Sequence, residues 1–327
     1  MDAAISVRGL RKAFGSQAVL DGIDLEVARG EIFALLGPNG AGKTTTISIL
    51  TTLQRADAGT AAVAGFDVAS SPDEVKRRIA LTGQSAAVDD VLTGTENLVM
   101  LGRLSGLTPR AARAKAAELL DRFALTDAAA KRVGAYSGGM RRRLDLALSF
   151  VVTPQVLFLD EPTTGLDTRS RRELWDVIQS LAEAGTTVFL TTQYLEEADR
   201  LADRIAVLTE GRIVAQGAPA ALKARIGGDV VELRDHHDDL VREVPTDGTV
   251  SGLRRALDIL DEAGSEGAVS LRRPSLDDVF LSVTGGSAPS RDQVISRAQD
   301  DSKAKRPSPV TSPDLARASA AHLEESA

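Results

Sequence analysis

Gly37-Pro38-Asn39-Gly40-Ala41-Gly42-Lys43-Thr44-Thr45 is the stretch from which the fold can be read. It satisfies G-x-x-x-x-G-K-[ST], the phosphate-binding loop known as Walker A. Its flanks agree with it. Glu31-Ile32-Phe33-Ala34-Leu35-Leu36 is an apolar run that suits a buried strand, and Thr45 to Leu53 suits the helix that follows. The glycines let backbone N–H groups curl around a polyphosphate without Cβ clashes. The helix N-terminus then faces the anion. Lys43 can reach the β- and γ-phosphates, and the Thr44 hydroxyl can ligate Mg²⁺. Gly37, Pro38, Asn39, Gly40, Ala41, Gly42, Lys43, Thr44 and Thr45 are therefore expected to bind the nucleotide.

Two further motifs extend the site. Val156-Leu157-Phe158-Leu159 reads as a short buried strand, and Asp160-Glu161 closes it. An acidic pair at a strand end is the Walker B arrangement. Asp160 is expected to hold Mg²⁺, and Glu161 to polarise the attacking water as general base. Tyr136-Ser137-Gly138-Gly139-Met140 precedes a helix expected from Met140 to Val152. Ser137 with the N–H groups of Gly138 and Gly139 forms a second anion nest. Two phosphate nests on one chain invite a homodimer in which this nest caps the γ-phosphate bound by the other subunit.

The totals narrow the class. The chain has 327 residues, of which 43% are hydrophobic and only 3% aromatic, so its cores must be aliphatic. A net charge of −7 argues against a nucleic-acid binder, which shows a basic excess. Cysteine is absent and there are three histidines, which leaves no thiolate chemistry and little for a His-based metal site. No apolar run approaches the ~20 residues that span a bilayer. The start, Met1-Asp2-Ala3-Ala4, lacks a signal-peptide pattern. The Arg141-Arg142-Arg143 and Lys76-Arg77-Arg78 runs read as solvated faces or surface contacts, not as a nucleic-acid footprint.

Organisation follows from periodicity. Ile5 to Leu10 and Val19 to Val27 are expected as antiparallel strands, and residues 85–150 mostly as helix. A helix carrying Leu174, Val177, Ile178 and Leu181 precedes the strand Thr186 to Thr192. Ile205 to Leu208 and Ile213 to Ala215 form a hairpin at Gly211. After Gly227-Gly228 the pattern becomes strand, amphipathic helix, strand and short helix, and from Gly286 it loses apolar periodicity. The expected division is 1–228, 229–285 as a small α+β appendage, and 286–327 as a disordered tail.

On these motifs residues 1–220 resemble the ATPase subunits of ABC transporters. The resemblance implies an α/β fold, a P-loop NTPase cassette with an antiparallel β subdomain, a RecA-like core and an inserted helical subdomain. It implies MgATP as the bound nucleotide. Phe14 then looks like the aromatic that stacks on adenine. Gln84, in Leu81-Thr82-Gly83-Gln84, looks like the glutamine that contacts Mg²⁺ and links the ATP site to the helical subdomain. Asp167 resembles the aspartate that crosses the dimer interface. One position departs from the family. Where it usually carries histidine, this chain reads Thr191-Thr192-Gln193. Gln193 can still donate a hydrogen bond to the γ-phosphate but cannot carry a proton, so Glu161, Lys43 and Gln193 are the expected catalytic set.

The signature turn Tyr136-Ser137-Gly138-Gly139-Met140, together with Gln193-Tyr194-Leu195-Glu196-Glu197-Ala198-Asp199 and the late Pro274-Ser275-Leu276-Asp277-Asp278-Val279-Phe280-Leu281, is similar to that of daunorubicin-resistance-type exporters. That likeness implies a separate membrane permease, a place on the cytoplasmic face of the membrane, and a late segment engaged in assembly. Packing of 276–281 within the appendage is the alternative for that segment. A soluble ABC ATPase acting on ribosomes or DNA is the alternative for the whole. It would carry two cassettes or a long coiled-coil insert and a basic surface, none of which the sequence shows.

Overall fold

The run Ile32–Leu36 sets the architecture, because every residue of it is buried. The computed structural model describes residues 3–83, 88–262 and 267–284, all within one compact unit that ends at Gly285. The expected tail, 286–327, and Gln84 lie outside the described residues. The chain opens with the antiparallel strands β1 (Ala3–Phe14) and β2 (Gln17–Ala28), then enters β3 (Ile32–Leu36) and helix α1 (Lys43–Leu50). Strands β4 (Ala58–Val63) and β5 (Phe66–Asp67) complete a sheet of order β2-β1-β4-β5. The short helix α2 (Pro72–Lys76) leads to β6 (Ile79–Thr82).

Three helices follow, α3 (Gly94–Leu104), α4 (Pro109–Arg122) and α5 (Gly138–Leu148). Thr93 and Glu96 form a reciprocal capping box at the start of α3, satisfying two backbone donors. The chain then alternates β7 (Val156–Asp160), α6 (Thr168–Glu183), β8 (Thr187–Thr192) and α7 (Leu195–Leu201). The hairpin β9 (Arg204–Thr209) and β10 (Arg212–Gly217) turns at Gly211 and feeds α8 (Pro219–Ile226).

The central sheet has the order β10-β9-β3-β8-β7-β6. Its strands from β9 to β6 are parallel. A parallel sheet must be covered on both faces, and the residues alternate to do so. Ala34, Leu36, Leu157, Leu159, Val188 and Leu190 join one core with α3 to α7. Phe33, Leu35, Phe158 and Phe189 join another with α1 and the antiparallel sheet. Phe189 stacks on Phe33 at 5.5 Å and meets Phe158 at 5.6 Å. Register places Leu36 beside Thr192 and Asp160 beside Thr191. Three carboxyl ends thus come together, the usual ligand crevice of an open α/β sheet.

The last described segment contains β11 (Asp229–Arg234), β12 (Leu240–Thr246), α9 (Val250–Glu262), β13 (Ala268–Arg272) and α10 (Leu276–Thr284). The strands make a separate sheet, β12-β11-β13, with a small core of Val231, Leu233, Val244, Ala256 and Leu260. The final helix does not join that core. Leu276 and Val279 enter the large core of the preceding residues, so the buried face of 276–281 packs away from the appendage. Arg272 links the two, reaching Glu232 at 2.5 Å and Asp278 at 3.6 Å.

Candidate active site

The glycine loop between β3 and α1 is shaped by close approach. A Cβ at Gly37 would run into the Leu208 carbonyl oxygen, and one at Gly42 would sit 2.6 Å from Leu20 Cδ2. Gly42 also takes φ 107° at the start of α1, a conformation that glycine alone adopts cheaply. The loop drapes around Lys43, which is only 4% exposed. Its Nζ donates to the carbonyls of Gly37 at 2.8 Å and Pro38 at 3.1 Å. The same ammonium lies 3.2 Å from Glu161 Oε1. Two motifs more than a hundred residues apart in sequence therefore converge on one atom, because β3 and β7 both flank β8.

Asp160, at the end of β7, is 5% exposed. Its Oδ1 accepts from Thr191 Oγ1 at 2.6 Å and from Thr44 Oγ1 at 3.3 Å. Thr44 and Asp160 thus present two hard oxygen donors side by side, which fits Mg²⁺. No group of three or more His, Cys, Asp or Glu suited to a metal exists among the described residues. Mg²⁺ needs no such cage, being held by one or two carboxylates together with substrate phosphates. Glu161 sits at φ 48°, an uncommon left-handed conformation for a side-chain-bearing residue. Its N–H is held by the Thr191 carbonyl at 3.1 Å and Oγ1 at 3.2 Å.

Gln193 is half-buried in the turn from β8 to α7. The Tyr194 N–H donates to Thr192 Oγ1 at 2.9 Å and fixes that turn. Phe14, at the end of β1, is 48% exposed, which removes core packing as its role, and Lys12 Nζ lies 5.6 Å from its ring centroid.

Ser137 is the N-cap of α5, its Oγ accepting the Met140 N–H at 3.2 Å. Gly139 faces α6 so closely that a Cβ would sit 2.5 Å from Ser170 Oγ. Asp167 caps α6, accepting from Ser170 N at 2.9 Å and Ser170 Oγ at 2.8 Å. Those bonds hold its carboxyl below the ordinary range. A cleft of about 570 Å³ runs between the two motifs, lined by Glu161, Gly138, Arg142, Thr164 and Leu166 among others.

Two residues of the neighbourhood were not evident from sequence. Arg142 corrects the expectation of a solvated arginine run, since it is 9% exposed and bonded inward. Burial pushes its guanidinium below the ordinary value, opposed by the carboxylates of Asp145, Glu197 and Asp160. In the other run Lys76 and Arg77 are exposed, as expected. Glu197, on α7, is fully buried and accepts from Trp175 Nε1 at 3.0 Å. Burial pushes its carboxyl above the ordinary range. The one tryptophan of the chain, which needs an acceptor when buried, was the available signal.

Comparison with known proteins places this geometry. The family model described as ABC transporter matches residues 20–164. The chain is 48% identical over 323 residues to the daunorubicin/doxorubicin resistance ATP-binding protein DrrA of Streptomyces peucetius, across 92% of this chain and 97% of that one. It is 40% identical over 300 residues to the Nod factor export ATP-binding protein I of Burkholderia orbicola strain AU 1054, across 86% and 97%. Among solved structures, an ATP-binding subunit of an ABC transporter matches with a TM-score of 0.60 at 27% identity, across 68% of this chain and 92% of that one.

Proposed function

The chain belongs to the ATP-binding subunits of the ABC transporter family, and from that footing we propose that it powers export of a hydrophobic antibiotic or lipid-like compound. It binds and hydrolyses ATP. Among the described residues no helix is long and apolar enough to cross a membrane, so the proposal includes a separate permease that carries the cargo and holds this subunit at the cytoplasmic face. The names of its relatives, drug resistance and Nod factor export, support the cargo class. The net charge of −7 supports a reading without nucleic acid.

One observation carries the mechanism: Lys43, Glu161, Thr44, Asp160 and Thr191 are interlocked at adjoining strand ends. In the proposed reaction, backbone N–H groups from Gly37 to Thr45 and the Lys43 ammonium hold the β- and γ-phosphates. Phe14 stacks on the adenine. Thr44 and Asp160, with Gln84, would hold Mg²⁺, and the ion would supply positive charge to offset that building on the phosphates. Glu161 takes the proton from the attacking water. Gln193 donates a neutral hydrogen bond to the γ-phosphate, so no second residue is asked to shuttle a proton. Ser137, Gly138, Gly139 and Asp167 act in trans, from a second copy of the chain. Their own polar groups are spent on capping α5 and α6, which leaves the α5 N-terminus to face a phosphate from outside.

We further divide the chain at 228 into a cassette, with a helical subdomain about 85–150, and an accessory segment 229–285. The segment 274–281 is proposed to serve assembly with the permease. The test is drug accumulation in a host that expresses this chain together with a candidate permease, a membrane protein encoded separately. Daunorubicin accumulation falls with the wild-type pair and stays at the control level with Glu161→Gln. Equal accumulation in all three contradicts the export reading.

A further inference from the structure

Arg142 lies on α5, five residues beyond Ser137, and its side chain joins three separate stretches of chain. Its Nε donates to the Pro162 carbonyl at 2.9 Å. One terminal nitrogen donates to the Gly83 carbonyl at 2.6 Å and reaches Asp145 Oδ2 at 3.3 Å. Pro162 directly follows Glu161, and Gly83 directly follows β6. The guanidinium serves these two carbonyls from separate nitrogens held at a fixed spacing, a geometry that the single nitrogen of an ammonium cannot reproduce. The other terminal nitrogen is buried and has no hydrogen-bond partner among the described residues. The same side chain lines the cleft that Glu161 and Gly138 share.

The backbone at Glu161 explains why such a clamp is needed. A left-handed φ of 48° at a glutamate persists only where the surroundings over-determine it. On one side Thr191 holds the Glu161 N–H. On the other side Arg142 holds the Pro162 carbonyl, so the strained residue is pinned from both directions. We propose that Arg142 is a positioning residue for hydrolysis, fixing the Glu161 carboxylate relative to the helix that presents Ser137 and to the end of β6. The proposal rests on Glu161 being the general base. It does not involve the glycine loop, because Arg142 makes no bond to any residue from Gly37 to Thr45. Loss of the clamp should therefore lower kcat and spare nucleotide binding.

The test compares wild type, Arg142→Met, Arg142→Lys and Glu161→Gln in two assays, steady-state ATP hydrolysis and MgATP binding by the isolated subunit. Arg142→Met keeps the apolar stem and removes every donor. Its kcat is expected to fall about 10²-fold, the scale of a misplacement near 1 Å at a reacting group. Its MgATP affinity is expected to stay within about twofold of wild type. Arg142→Lys, which keeps the charge and a donor but not the fork, is expected to recover to within about tenfold of the wild-type kcat. Wild-type kcat in a folded Arg142→Met overturns the proposal. So does a loss of MgATP affinity parallel to the loss of rate, which is general damage. If Arg142→Met does not fold, Arg142→Lys decides: a reduced kcat at unchanged affinity supports the clamp, and a wild-type kcat overturns it. Wild-type hydrolysis by Glu161→Gln overturns the assignment of the base, and that result is separable from failure of the clamp.

Discussion

The strand-end centre and the signature turn handle their polar groups in opposite ways. At the centre the groups are tied to each other: Lys43 to Glu161, Thr44 and Thr191 to Asp160. At the turn they are spent locally, Ser137 on Met140 and Asp167 on Ser170. The centre therefore holds Lys43, Thr44, Asp160 and Glu161, the groups proposed for hydrolysis, together in one chain. The turn offers a capped helix end with no catalytic side chain of its own. That difference is what favours a second copy, since a nest that only donates backbone N–H groups can act from a neighbouring molecule as well as from its own.

The centre can be broken one group at a time. Gln193→Ala removes the proposed neutral hydrogen bond to the γ-phosphate, worth about 0.5–1.5 kcal/mol. Turnover is expected to slow roughly 3- to 10-fold, read as the steady-state ATPase rate with the permease present. Loss of a proton-carrying group costs on the order of 10²-fold or more. A Gln193→Ala variant as inactive as Glu161→Gln would show that the centre needs a second proton carrier.

A smaller effect sharpens the contrast from beneath. Glu197 lies on α7, which follows the turn that carries Gln193, and its carboxyl is raised by burial. A folded-state value above the unfolded one, about 4.3, means the folded chain binds the extra proton. Stability is then fullest below the unfolded value and declines as pH rises through the folded value. Glu197→Gln keeps an acceptor for Trp175 and removes the titration. Its Tm is expected to vary less with pH above about 4.3. An unchanged slope of Tm against pH would remove Glu197 from the account.

The contrast also explains what was legible in the sequence. Walker A, Asp160-Glu161 and Ser137-Gly138-Gly139 are local arrangements, in which neighbouring residues set the backbone that does the work. The strand Val156–Asp160 and the hairpin at Gly211 were legible for the same reason. Arg142 was not, because a triple arginine on a helix turns inward only if a carbonyl waits there, and Gly83 and Pro162 come from distant segments. Glu197 stands in a stretch that was legible only for its likeness, and its partner Trp175 comes from another helix. The packing of α10 was hidden too, since Leu276 and Val279 show an apolar face without naming its partner.

The most direct test of the trans arrangement mixes two inactive chains. Ser137→Arg blocks the nest, and Lys43→Ala disables the phosphate loop. On the proposed homodimer, co-expression gives mixed dimers in which one composite site has both an intact Lys43 and an intact Ser137. With random pairing, about a quarter of the wild-type ATPase rate is expected, while Ser137→Arg alone keeps its MgATP affinity and hydrolyses nothing. A mixture as inactive as either chain alone, or a Ser137→Arg chain that loses nucleotide as fully as Lys43→Ala, would contradict completion of the site by a second copy.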